Sequence, residues 1–397
     1  RQDTPILAHI LALVKDSTTV VLITCDLVGL DETLRRQIED SILGEFGVPQ
    51  SHTFILPSHN HFGPSVNGSY AHDSDRTSRE TDYRATLVEN LVKTVGIALA
   101  NVTPVELSIG YDQETLYARN SRFWRKDGTI NWVGKHHKDF ERDSGPFDSV
   151  LGVVRIADHQ DTTVATLYNF ACHANAAEID GFSAISWDWP GYTSQYVKDT
   201  LGGESFFLVG ACGDVHPVRE GIAKEMGLSI GKGVLKAVQG SQVFPCARLE
   251  VLQQDISIPA RDFSSFDPHQ IELICSQLED TEVGAKIQSI FLNILQDLKG
   301  KVLPDHQRQL RVLVIGELAM VFVPGELFVE LGLELKRRSP FKHTFVVESL
   351  SESIGYIPNR IAYEDGGYQS GVGTRVPPGG GEQLLEKSVE LLRKVSG

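Results

Sequence analysis

The segment from Ser58 to Pro64 reads Ser-His-Asn-His-Phe-Gly-Pro and places two histidines, His59 and His61, two residues apart. It follows the apolar run Thr53–Leu56, which predicts a buried strand. Side chains at this spacing project to the same side of an extended segment, and the Gly-Pro pair turns the backbone away behind them. Neutral imidazole binds zinc and other first-row metals well, so the segment indicates a metal site at a sheet edge. A His-x-His pair alone is a weak signal, because many such pairs are structural.

Two more apolar runs end in polar groups beside glycine or proline. The run Leu167–Cys172 leads directly to His173, for which a satisfied core histidine is the alternative interpretation. The run Phe206–Val209 enters a glycine turn that presents Asp214 and His216. Exposed backbone N–H groups in such a turn are suited to holding an oxyanion.

The same pattern returns twice near the end of the chain. Glu326 follows an apolar run and a Pro-Gly pair, where it is either an ordinary helix-start acid or a metal ligand. Tyr356 follows a glycine and precedes a proline two residues on, and Tyr363 and Tyr368 lie in the Gly-rich loop after it. Tyrosines are common in loops, so taken singly these three carry no functional signal.

The elements that must position these residues alternate along the chain. Hydrophobic periodicity predicts strands over 7–14, 19–25, 53–56, 150–156, 163–172, 206–209 and within 242–258, and a hairpin over 310–323. It predicts helices over 31–46 (capped by Asp31), 78–101, 191–201, 221–238, 266–299 in two pieces, and 383–395. Residues 111–147 are interpreted as polar and irregular. The alternation predicts one large α/β domain over residues 1–397, built on mixed β-sheets flanked by helices.

Composition narrows the possible partners. The 397 residues are 41% hydrophobic and 22% charged, as in ordinary soluble proteins, and a net charge of −15 argues against nucleic acid or an anionic membrane surface. No apolar run approaches the roughly 20 residues of a membrane span. The partner we expect is a small-molecule substrate.

Five cysteines without a C-x-x-C pair favour a reducing compartment. Because residue 1 is Arg, we expect a trimmed start; the compartment (cytoplasmic, periplasmic or secreted) and the oligomeric state stay open.

Together these positions resemble the N-terminal catalytic domain of the neutral/alkaline, non-lysosomal ceramidases, in their short bacterial branch. The order and local context of five motifs agree from about residue 5 to the end of the chain, namely His59/His61, His173, Gly213-Asp214, Pro324-Gly325-Glu326 and Gly355-Tyr356-Ile357-Pro358. The resemblance implies a zinc amidase that cleaves its substrate with metal-activated water.

Carried over residue by residue, the resemblance implies a zinc site with the ligands His59, His173, Glu326 and Tyr356. It implies that His61 is a second histidine facing substrate, and that Tyr368, twelve residues after Tyr356, points at the developing oxyanion. Two imidazoles and a carboxylate leave zinc an open position for water, whose pKa falls to about 7 when bound.

The chain also departs from the ceramidase pattern. His216 stands where the ceramidases carry a serine, so we expect it, beside Asp214, to act as a general base; the alternative is that it packs ahead of Pro217. The family's Asn-Arg-Ser-Pro motif appears only as Asn-Ser-Arg over 120–122, leaving Arg119 or Arg122 as candidate substitutes. We further expect no C-terminal immunoglobulin-like domain. These departures predict that ceramide is a poor substrate.

Three functions therefore stand at this point. The first is a zinc-dependent hydrolase of an amide. The second is a zinc hydrolase of an ester, lactone or glycosidic bond in a small polar or sugar-like substrate. Four tryptophans could supply stacking faces for the rings of such a substrate, with core packing as the alternative use: Trp124, Trp132, Trp187 and Trp189. The third is a non-catalytic metal- or carbohydrate-binding protein. The presence of His61 and Tyr368 beside the ligand set argues against the third, because a structural zinc site is closed.

Overall fold

The computed structural model describes residues 4–66, 74–131, 139–178, 185–264 and 282–396. Within these ranges the strands are β1 (Ala8–Lys15), β2 (Thr18–Cys25), β3 (Thr53–Pro57), β4 (Val105–Gln113), β5 (Ala118–Asn120), β6 (Phe123–Arg125), β7 (Phe140–Asp143), β8 (Val150–Asp158), β9 (Thr163–Phe170), β10 (Glu204–Val209), β11 (Val215–Pro217), β12 (Gln242–Phe244), β13 (Leu249–Ile258), β14 (His306–Ile315), β15 (Leu318–Val323), β16 (Glu326–Leu327), β17 (His343–Glu348) and β18 (Tyr356–Ile357).

The helices of the described ranges are α1 (Glu32–Phe46), α2 (Ser74–Ala100), α3 (Asp188–Leu201), α4 (Ala223–Gln239), α5 (Glu282–Leu298), α6 (Val329–Arg338), α7 (Arg360–Asp365) and α8 (Gly380–Ser396). Asp31 caps α1 as predicted, because its Oδ1 accepts the backbone N–H of Leu34 at 2.8 Å. No helix in the described part of the chain is long and apolar enough to cross a membrane.

Three mixed sheets form the frame, in the strand orders β1-β2-β3, β10-β9-β8-β4-β12 and β13-β14-β15-β17. Each contains one parallel pair among antiparallel ones: β2 with β3, β9 with β10, and β15 with β17. Short two-stranded ribbons pair β5 with β11, β6 with β7, and β16 with β18. The mixed α/β fold class is confirmed.

The three sheets share one apolar core. Side chains from all three meet in it, among them Phe54, Phe206 and Phe322, each no more than 1% exposed. Helices cover the outer faces: α1 and α2 the β1–β3 sheet, α3 and α4 the five-stranded sheet, and α6 and α8 the four-stranded sheet. The parallel strands β3, β9, β10 and β15 all run into polar turns at their carboxyl ends, where ligand sites of α/β sheets commonly lie.

Most predicted elements are confirmed, including the antiparallel hairpin of β14 and β15. The interpretation of residues 111–147 as irregular is wrong where the structure describes them. That stretch completes β4 and contains β5, β6 and β7, which are too short to show the apolar alternation that signals a strand. Four features discussed from the sequence lie outside the described residues: Trp132, the Lys-His-His-Lys run at 135–138, Cys275 and the first half of the predicted helix 266–299.

Candidate metal centre

The two histidine-bearing segments are joined to each other by backbone contacts. Asn60 forms a bridge with Ala174, and the N–H of His61 donates to the carbonyl of Ala174 at 3.1 Å. The rings of His59 and His173 consequently lie 4.5 Å apart, and those of His59 and His61 4.8 Å apart. His59 adopts a left-handed φ of 58°, which is uncommon for a residue other than glycine and is found disproportionately at functional sites.

Backbone carbonyls fix the tautomers of the two buried histidines. His59 Nδ1 lies 3.0 Å from the carbonyl oxygen of Val28, and His173 Nδ1 lies 3.1 Å from that of Val215. A carbonyl oxygen only accepts, so each Nδ1 carries the hydrogen and each neutral ring keeps a bare lone pair on Nε2. This is the arrangement that orients metal-ligating histidines.

Both lone pairs point at one carboxylate oxygen. Oε2 of Glu326 lies 3.3 Å from His173 Nε2 and 3.5 Å from His59 Nε2. Burial raises the pKa of the Glu326 carboxyl, but the adjacent imidazoles of His59 and His173 lower it by more, so the pKa lies well below its usual range. Burial and the neighbouring His59 lower the pKa of His173, which favours a neutral ring.

The three acceptor atoms fit a bound cation. His59 Nε2 is buried without a hydrogen-bond partner among the described residues. Tetrahedral zinc with bonds of about 2.0–2.1 Å separates its ligand atoms by about 3.3–3.4 Å, close to the two distances found here. Nitrogens of His59, His61 and His173 also lie within 4.8 Å of one another, so the three histidines form one cluster that could hold a metal ion. His61 is exposed, whereas His59 and His173 are buried.

Two phenols extend the centre on the Glu326 side. Tyr356 pairs with Glu326 in the parallel β16–β18 ribbon, and its hydroxyl lies 3.2 Å from that of Tyr368. Burial and the Glu326 carboxylate raise the pKa of Tyr356, and burial raises the pKa of Tyr368 to about 12. Without a metal both phenols therefore keep their protons at neutral pH and are available as hydrogen-bond donors.

The turn after β10 brings its two candidate residues to different places. The ring of His216 stacks on that of His173, with centroids 4.1 Å apart, and its Nδ1 lies 3.1 Å from Asn175 Nδ2. The Asp214 carboxylate instead accepts the Asn120 side-chain amide and the N–H of Val329, each at 2.8 Å. Burial raises the pKa of Asp214 to about 6. These contacts hold the start of α6, and the catalytic role of Asp214 stays a prediction.

The two candidate arginines also lie in different places. Arg122 is 2% exposed, donates to the carbonyl of Gly366 at 2.7 Å, and its positive charge lowers the pKa of Tyr368, against the burial that raises it. Arg119 is half-exposed and pairs with Asp143 at 3.2 Å. Of the two, Arg122 lies on the Tyr368 side of the centre, whereas Arg119 pairs with His216 in the β5–β11 ribbon.

Sequence reasoning missed a second buried acid behind Glu326. Glu348, at the end of β17, accepts the N–H of Cys212 at 2.8 Å, and burial together with the Glu326 charge raises its pKa well above the usual range. A carboxylate at the carboxyl end of an apolar strand was the available signal. Of the two uses considered for the tryptophans, core packing is the one found for Trp189, which is fully buried.

Solved structures share this fold. A crystal structure of neutral ceramidase from Pseudomonas aeruginosa matches with a TM-score of 0.70 at 15% sequence identity, over 96% of this chain and 67% of that one. A structure of a ceramidase complexed with C2 matches with a TM-score of 0.71 at 15% identity, over 98% and 69% of the two chains. No protein-family model matches the sequence, and no curated protein does. The resemblance inferred from five short motifs is thus confirmed for the whole architecture, and this chain has the fold of the neutral ceramidases.

Proposed function

We propose that the protein is a zinc-dependent hydrolase that cleaves an amide bond. The observation that carries the proposal is the close approach of two histidine nitrogens to one carboxylate oxygen. Nε2 of His173 and Nε2 of His59 lie 3.3 and 3.5 Å from Oε2 of Glu326. His59, His173 and Glu326 would hold the ion, with the Tyr356 phenol beside them. When bound, zinc polarises a carbonyl and lowers the pKa of a coordinated water to about 7, which supplies a nucleophile at neutral pH.

The remaining residues have roles set by their protonation and exposure. Tyr368 keeps its proton at neutral pH and donates a hydrogen bond to the oxyanion that forms on the substrate carbonyl. His61 is exposed next to the ligand rings, so it is placed to carry a proton to the leaving amine. His216 stacks on His173 and is the candidate general base of this centre.

The fold supports an amide as the bond, since the two matched structures described above are of ceramidases. The likeness of 15% identity extends to the fold and not to the substrate. Because His216 replaces the serine expected from the ceramidase pattern, we expect ceramide to be turned over poorly, with a smaller or more polar amide preferred. An ester, lactone or glycosidic bond remains the alternative, and burial of Trp189 removes one of its proposed stacking faces.

A substrate panel on metal-defined protein tests the proposal. Apo protein, made with a chelator and reloaded with zinc, is assayed on short N-acyl amides, matched esters, aryl glycosides and a fluorescent ceramide. We expect zinc-dependent turnover of amides above that of the other three classes. Glu326→Gln should lose both zinc and turnover. Glu39→Gln, a change at a buried carboxylate that pairs with Arg35 on α1, should keep both.

The panel also separates the competing functions. Zinc-dependent turnover of esters or glycosides without amides would replace the proposed bond by the alternative. Tight zinc binding with no turnover of any class would favour a non-catalytic metal-binding protein. Efficient turnover of ceramide alone would contradict the specificity argued from His216.

A further inference from the structure

The start of helix α3 contacts both histidine-bearing segments of the candidate metal centre. The four residues Ser186–Trp189, here called the clamp segment, lie immediately before and within the first turn of this helix. One of its ends faces the loop that carries His59 and His61, and the other faces the loop that follows His173. The sequence drew attention to its two tryptophans, but the contacts below assign it a different use.

Toward the first loop the clamp segment uses backbone groups of Ser186. The Asn60 side-chain amide donates to the Ser186 carbonyl at 2.7 Å, and the Ser186 N–H donates to the carbonyl of Phe62 at 3.1 Å. Asn60 is fully buried and lies between the two histidines of its loop. These two bonds therefore fix the backbone on both sides of His61.

Toward the second loop the clamp segment uses two side chains. The Asp188 carboxylate accepts the N–H of Ala176 at 3.0 Å and that of Ala177 at 2.8 Å, one on each oxygen. The indole N–H of Trp189 donates to the carbonyl of His173 itself at 2.8 Å. The backbone on the carboxyl side of His173 is thus held at three points by two neighbouring residues.

Asp188 occupies this place at an energetic cost. It is fully buried and has a left-handed φ of 51°, a conformation that Asp tolerates better than most residues. Such conformations persist where the surroundings over-determine them, and they cluster at functional sites. A carboxylate is required because each of its two oxygens accepts a backbone N–H. A side-chain amide would turn one of those acceptors into a donor facing another donor.

We infer that Asp188 is a positioning residue of the metal centre: with Ser186 and Trp189 it holds the His59/His61 loop and the His173 loop in one fixed relation. The inference rests on the proposed metal site. It goes beyond that site because it assigns the relative position of the metal-binding histidines to a residue that contacts none of the metal-binding atoms. Groups that orient metal ligands from outside the coordination sphere typically contribute 10–100-fold to metal affinity.

The test compares Asp188→Asn with a matched variant, Asp158→Asn. Asp158 also accepts two backbone N–H groups, from Gln160 and Thr162 at 2.8 and 2.9 Å, but both reach one oxygen, Oδ1, which an Asn side chain can still present. It lies before β9, at the opposite end of that strand from His173. Asn keeps the size and the left-handed tolerance of Asp, so the change addresses the carboxylate alone. We expect Asp188→Asn to weaken zinc binding by about 10–100-fold in chelator competition and to shift the visible bands of the cobalt-substituted protein. Asp158→Asn should do neither.

Hydrogen exchange of the metal-free proteins gives a readout that needs no metal. Amides of residues 173–177 should exchange faster in Asp188→Asn than in the parent, while those around Asp158 stay unchanged. Trp189→Phe, which removes the indole N–H together with part of the buried ring, serves if Asp188→Asn fails to fold and should show the same changes to a smaller degree. Unchanged zinc affinity, cobalt spectrum and exchange in these variants would overturn the inference. Absence of metal binding by the parent would instead overturn the proposed function, and exchange would still decide the role of Asp188.

Discussion

Gly213 lies under the backbone of Glu326 and offers a direct way to move the proposed carboxylate ligand. A Cβ atom added at Gly213 would lie 2.4 Å from the Glu326 carbonyl oxygen and 2.8 Å from its carbonyl carbon, whereas real Cβ contacts are essentially never shorter than 3.0 Å. In Gly213→Ala the Glu326 backbone must therefore retreat by about 0.6 Å at the least. The hydrogen bond from Gly213 N–H to the Leu327 carbonyl, 2.9 Å long, is lost or stretched by the same movement.

The size of the effect follows from that displacement. Overpacking of this kind costs about 1–3 kcal/mol of unfolding free energy. Functional groups lose their effect when displaced by more than about 0.5 Å, so we expect zinc affinity to fall by about 10-fold or more. Gly44→Ala is the matched control: nothing lies within 4 Å of its added Cβ, and its position in α1 predicts a gain of about 0.5–1 kcal/mol. Urea unfolding and chelator competition measure both quantities. A Gly213→Ala protein as stable and as zinc-avid as the parent would refute the reasoning.

Three further predictions concern single side chains. His61→Ala should keep its zinc and lose activity by about 100-fold or more, and loss of the metal as well would make His61 a ligand. Tyr368→Phe should lower kcat by a similar factor while zinc content stays unchanged, because the proposed role of its hydroxyl is to donate to the reacting carbonyl and not to hold the ion; an unchanged kcat would remove it from the mechanism. Burial raises the pKa of Asp26 from 3.8 to about 7, so the folded state binds this proton more tightly than the unfolded chain. The resulting contribution to the free energy of unfolding, up to about 4 kcal/mol, is present near pH 4 and lost as the pH rises through 7. In Asp26→Asn the free energy of unfolding should therefore depend less on pH over this range.

Much of the architecture follows from local sequence patterns. The apolar runs of β2, β3, β9, β10 and β15 are buried on both faces, so each reads as a continuous hydrophobic segment that ends in polar residues. Because those ends meet at the edge of packed sheets, the residues that follow them were expected to converge. The structure brings His59, His173, Glu326 and Tyr356 together accordingly, and their role as ligands stays a prediction.

The remaining features depend on contacts between distant segments. Asn120 supports Asp214, Glu348 lies behind Glu326, and Asp188 binds the loop after His173, and none of these partners is near in sequence. A buried polar residue is chosen by the donors and acceptors that tertiary structure presents to it, and no periodicity records that choice. Strands β5, β6 and β7 were missed because a strand of so few residues is too short to show hydrophobic alternation.

The central claim is that hydrolysis by this protein depends on one zinc ion held by His59, His173 and Glu326. Its most direct test is a titration of apo protein with zinc while hydrolysis of a short N-acyl amide is followed. We predict no activity in the apo protein, a linear rise, and a plateau at one equivalent of zinc per chain. Full activity of the apo protein, or a zinc-loaded protein that hydrolyses no amide, would contradict the claim.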